Sequence, residues 1–286
     1  MGSHHNNLRN LFVTGVLICV FLGVNVLTPG YWLRANWVSV VVAGFWISQL
    51  TLVVTWPALA PRNFSVRLPW SLLLLVFMWY ALVIGNRMAN RFYNSTTALV
   101  LGLILLSGWL FAVIALRIVA RVLGWQLLGW NAGQDGDGQL GGRPPFPVRH
   151  LLLGTFLLLM AIAPMRLVLP PPGPLPMALY DLRQYIYLAV AAVANLVLAV
   201  PCIWAAFAPV RRMPLLGLRW LVTCTLLTGL QYVHFFLFLG PFVPFSLIFT
   251  IHLAHCGFVL GTLLIFRGLG CRLVQTSQPA DAVGLS

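Results

Sequence analysis

The chain has 286 residues, of which 60% are hydrophobic, and its 17 basic residues against 4 acidic ones give a net charge of +13. All the basic residues are Arg, there is no Glu, and the acids are Asp135, Asp137, Asp181 and Asp281. Charged residues make up 7% of the chain, where a soluble domain draws about a quarter. That excludes a soluble surface and most carboxylate- or lysine-based catalysis and ion coupling.

A membrane-crossing helix needs about 20 mostly apolar residues. Eight stretches qualify: Leu11–Leu27, Trp37–Leu59, Leu68–Gly85, Thr97–Ala120, Leu151–Leu169, Gln184–Phe207, Leu218–Gly240 and Phe242–Phe266. The expected fold is all-α, a bundle of about eight transmembrane helices. A short tail at 1–10 precedes it and a tail at 267–286 follows. Met1-Gly2-Ser3-His4-His5 reads as a disordered start with two non-functional His. The first apolar run reads as a retained helix, because Thr28-Pro29-Gly30-Tyr31-Trp32 offers no small-x-small cleavage pattern.

The Arg distribution sets the expected orientation. With the N-terminus inside, the cytoplasmic segments hold Arg9, Arg62, Arg67, Arg117, Arg121, Arg143, Arg149, Arg211, Arg212, Arg219, Arg267 and Arg272. The outer segments hold Arg34, Arg87, Arg91, Arg166 and Arg183. Both termini are therefore expected in the cytoplasm. These Arg sit singly or in pairs at helix ends, with no nucleic-acid module, so the basic charge is assigned to topology and anionic headgroups. The expected partners are the lipid bilayer and other membrane proteins, not nucleic acid.

Arg67, Arg149 and Arg219 are the expected topology anchors. Phe64-Ser65-Val66-Arg67 precedes the third span and Phe146-Pro147-Val148-Arg149 the fifth, and Leu218-Arg219-Trp220 opens the seventh. Each Arg reaches the headgroups while an apolar neighbour anchors the helix start. Spans three–four, five–six and seven–eight then read as parallel repeats of one hairpin. These starts resemble helix openings in poorly characterised bacterial polytopic inner-membrane proteins. The resemblance covers two short segments. It implies a multi-pass protein of the bacterial inner (cytoplasmic) membrane and carries no activity.

The longest loop, 121–149, reads as flexible, with Val122–Trp130 expected to lie along the interface as a short helix. The five Cys form no CxxC pair and read as small packing residues. Asn25, Gln49 and Asn195 read as interhelical hydrogen-bonding groups.

Three ionisable side chains remain inside the spans: His234, His252 and His255. The short turn near Gly240–Pro244 makes the last two helices an antiparallel hairpin, across which His234 and His252 can lie level. Two level imidazoles could ligate a haem iron or join in another metal site. Alternatively, neutral rings bond to hydroxyls such as Thr228 or Thr250. Ala254-His255-Cys256-Gly257 with Gly261 is similar to the catalytic-His helix of rhomboid proteases. Its glycines fall one residue early, and the Gly-x-Ser-Gly partner is missing. The expected function is a non-enzymatic scaffold, assembly partner or passive permease. The alternative is a haem- or metal-binding protein using His234, His252 and His255.

Overall fold

The computed structural model describes residues 2–29, 37–59, 64–89, 94–128, 182–207, 213–239 and 244–275. The described residues form seven helices and two short strands. In chain order these are α1 (Gly2–Leu27), α2 (Trp37–Ala58), α3 (Phe64–Ala89), α4 (Ser95–Val122), β1 (Trp125–Leu128), α5 (Leu182–Phe207), α6 (Met213–Leu239), α7 (Phe245–Gly268) and β2 (Arg272–Gln275). Six helices, α1 to α4 with α6 and α7, are long and apolar enough to cross a membrane. The described apolar part of α5, Val193–Phe207, is shorter. The expected span Leu151–Leu169 lies outside the described residues, as does Arg149. Helix α1 begins at Gly2, so the expected disordered start is helical in its backbone.

Helices α2 and α7 lie side by side at the centre, with α3 and α4 against α2, and α5 and α6 against α7. Helix α1 leans on α3. The outer faces expose large aliphatic side chains: Leu103, Leu110, Ile114 and Ile118 on α4, and Leu226, Leu230 and Leu237 on α6. Contiguous apolar surface of this kind suits hydrocarbon rather than water.

With lipid outside, close packing and buried hydrogen bonds must hold the helices together. At Gly44 of α2 an added Cβ would sit 2.7 Å from Ala254 Cβ and 2.7 Å from the Ile251 carbonyl oxygen of α7. At Gly85 of α3 it would sit 2.5 Å from the Val26 carbonyl oxygen of α1. Polar ties run between helices at several depths. Asn25 and Gln49 exchange two amide hydrogen bonds of 2.7 and 2.8 Å, joining α1 to α2. Trp109 Nε1 donates to Ser71 Oγ at 2.9 Å, and Ser71 donates to the Val53 carbonyl, linking α4, α3 and α2. Trp79 Nε1 donates to the Ala98 carbonyl, joining α3 to α4.

The strands form an antiparallel ribbon, with Trp125 opposite Gln275 and Leu128 opposite Arg272. This replaces the interfacial helix expected at Val122–Trp130. The reason is local. Gly124 (φ 65°) and Gly270 (φ 95°) take left-handed conformations, which turn the chain sharply at the ends of α4 and α7. The two following segments then satisfy each other's backbone groups. Leu127 N also donates to the Leu59 carbonyl.

A repeat follows from this pairing. Arg121-Val122-Leu123-Gly124 ends α4 as Arg267-Gly268-Leu269-Gly270 ends α7. Trp56-Pro57-Ala58-Leu59-Ala60-Pro61 matches Trp204-Ala205-Ala206-Phe207-Ala208-Pro209 in the same way. The contacts repeat too: α2 packs on α3 and α4 as α5 packs on α6 and α7. Helices α2 and α7 touch across the two units, as do α4 and α5. The repeating unit is therefore three helices and a strand rather than the hairpin expected from the Arg-bearing helix starts.

Candidate functional site

The three histidines do not converge. Thr228 Oγ1 lies 2.9 Å from His252 Nδ1 and donates its one proton to the Cys224 carbonyl at 2.7 Å. The Thr228 hydroxyl thus stands between a carbonyl of its own helix and the His252 ring. The same arrangement holds at His255, where Thr51 Oγ1 lies 3.1 Å from the Ile47 carbonyl oxygen and 3.0 Å from His255 Nε2. His255 Nδ1 is buried without a hydrogen-bond partner.

His252 thus bonds to α6 and His255 to α2. The Thr228–His252 bond also fixes the register of the α6–α7 hairpin. His234 stands six residues beyond Thr228, which places it about 9 Å nearer the hairpin turn than His252. The level pair is absent. Among the described residues no group of three His, Cys or acidic side chains is arranged to hold a metal ion. Each threonine hydroxyl is also tied to a backbone carbonyl of its own helix, at Ile47 and Cys224. Of the expected anchors, Arg219 is exposed in α6, while Arg67 is part of a different feature.

That feature is a cavity of about 520 Å³ between α1, α2, α3 and α7. Leu17, Ile18, Phe21 and Leu22 line it from α1, and Leu52 and Val53 from α2. Leu74 of α3 and Leu263 and Phe266 of α7 complete the apolar wall. From Gln49 at one end to Trp56 at the other it spans seven residues of α2, about 10 Å along the helix axis. Leu127, Phe207 and Cys271 line the end beside the ribbon.

The polar groups on its wall are mostly spent internally. Gln49 pairs with Asn25, Thr14 donates to the Asn10 carbonyl, and Thr55 donates to the Thr51 carbonyl. Arg67 is the charged exception. Its guanidinium carbon lies 5.7 Å from the centre of the Trp56 ring, within cation–π range. All four Asp of the sequence lie outside the described residues, so no described carboxylate faces it.

One sign of this cavity was legible in the chain: Trp56 near the end of α2 and Arg67 near the start of α3 flank one short connection. Its walls come from four helices, and no linear pattern announces them. Sequence reading also missed the meeting of two thiols: Cys202 of α5 and Cys256 of α7 are neighbours in the core.

Against protein-family models, curated proteins and solved structures, the chain has no match.

Proposed function

We propose that this chain is a non-enzymatic, multi-pass protein of the bacterial inner membrane that houses one long-chain lipid in the cavity beneath α1. The cavity itself carries this reading. Its volume falls within the roughly 300–1,000 Å³ of ordinary ligand sites. Its walls are apolar, and its polar lining groups are largely satisfied. Scaffold or assembly partner fits better than permease. Parallel-repeat transporters place their substrate at the seam between repeats, and here Gly44 closes that seam against Ala254.

The proposal includes eight crossings with both termini cytoplasmic. The ribbon supports it by drawing the ends of α4 and α7 to one face. The end of α5 joins them, since Arg267 donates to the Ala206 carbonyl. The chain leaves that face after α4 and returns to it at the end of α5, which favours an odd number of crossings between them, and the apolar run Leu151–Leu169 is long enough for one. The same face gathers Arg9, Arg67, Arg117, Arg121, Arg219, Arg267 and Arg272 at helix ends, while Arg87 ends α3 on the other. That bias favours the ribbon face as cytoplasmic. The bacterial inner membrane rests on the resemblance of the helix starts.

Native mass spectrometry of the detergent-purified protein tests the lipid site. One lipid-sized adduct should survive delipidation and be lost in Leu74→Trp, which fills the cavity. A bare protein, or an adduct indifferent to a monodisperse Leu74→Trp variant, would refute the assignment.

A further inference from the structure

Arg67 is the one charged group among the described residues of the cavity wall. We infer that the guest is a phospholipid of net negative charge, drawn from the leaflet on the ribbon face. Its phosphate would lie at Arg67 and one chain would run along α2 toward Gln49. This inference rests on the cavity being a lipid site.

Three observations support it. Arg67 sits at the ribbon end of the cavity, at the first residue of the apolar stretch of α3, while the opposite end reaches about 10 Å along α2. A phospholipid has this polarity, with charge at the surface and hydrocarbon inward. Second, the Trp56 ring packs against Arg67, limiting the directions in which the guanidinium can aim its donors. Such a fork suits two phosphate oxygens at once. Third, the surrounding charge has one sign. Arg9, Arg267 and Arg272 lie on the same face, and no described residue is a carboxylate. A choline or ethanolamine cation gains no partner among them, whereas a glycerol headgroup leaves the phosphate charge uncancelled.

Competition between phosphatidylglycerol and phosphatidylcholine of identical chains, read by native mass spectrometry on the full chain, tests the assignment. The wild type should retain phosphatidylglycerol preferentially. One Arg near an anionic surface contributes about 1 kcal/mol, so Arg67→Gln should reduce the preference about fivefold. Arg87→Gln, at the end of α3 on the opposite face, should leave it unchanged. An unaltered preference in Arg67→Gln would overturn the assignment. If both lipids are retained equally and both are lost in Leu74→Trp, the headgroup inference fails while the cavity reading stands. If neither is retained, the cavity reading itself fails. Should Arg67→Gln not fold, salt decides on the wild type: the preference must weaken as ionic strength rises, and a salt-independent preference overturns it.

Discussion

Replacing Gly44 with Ala should pry the two halves of the molecule apart at their centre. The new methyl would lie 2.7 Å from Ala254 Cβ, 2.7 Å from the Ile251 carbonyl oxygen and 2.9 Å from His255 N. Two of these three atoms are α7 backbone and cannot rotate away. Ordinary carbon contacts start near 3.4 Å, so the helices must separate by several tenths of an ångström. The His255–Thr51 bond, now 3.0 Å, would then stretch beyond the usual 2.7–3.2 Å range. Overpacking costs about 1–3 kcal/mol, and an interhelical hydrogen bond in a membrane bundle contributes about 0.6 kcal/mol on average. Thermal unfolding in detergent, followed by loss of monodisperse protein, should shift down by roughly 3–6 °C. Gly257 and Gly261 of the same helix have nothing within 4 Å of an added Cβ. Their Ala variants should be neutral or gain up to about 1 kcal/mol from helix propensity. A Gly44→Ala protein as stable as Gly257→Ala would refute the close-packed seam.

Breaking the Asn25–Gln49 pair with either single Leu substitution should destabilise by about 1–2 kcal/mol, because the remaining amide stays buried and unsatisfied. The double substitution should recover part of that loss in a double-mutant cycle. His252→Asn should lower unfolding stability by roughly 1 kcal/mol through loss of the Thr228 bond and leave the Soret region featureless. A Soret band that vanishes in this variant would restore the haem reading. Single cysteines at Asn94 and Pro174 should label from outside and one at Arg272 only from the cytoplasm, and the reverse pattern would invert the proposed orientation. Val274→Pro should remove a donor from the ribbon and raise protease sensitivity around Trp125–Leu128, which unchanged cleavage would contradict.

Composition made the helices legible. With so few charges, the apolar runs could be bounded by Arg, Pro and Gly, and the structure reproduces six of them as long apolar helices. Asn25 and Gln49 were recognisable as interhelical groups, because a buried amide in lipid must find a partner, and they found each other. The ribbon was hidden because four-residue strands carry too little periodicity to show beside an apolar helix. Its real signal was the doubled Arg-x-Leu-Gly at Arg121 and Arg267. At the histidines, counting from the turn allowed His234 and His252 to be level, whereas the hydroxyl each ring meets sets the register; the bond from His252 to Thr228 was among the hydroxyl partners legible in the sequence. The cavity depends on the loose seating of α1 over α2, α3 and α7, a tertiary fact with no local sequence signature.

The most direct test of the lipid site is an electron cryomicroscopy map of the full chain in nanodiscs containing phosphatidylglycerol. A continuous tube of density should run from Arg67 past Val53 and Phe21 toward Gln49. A map in which α1 closes onto α2 and α7, leaving no space between Phe21 and Leu263, would contradict the account.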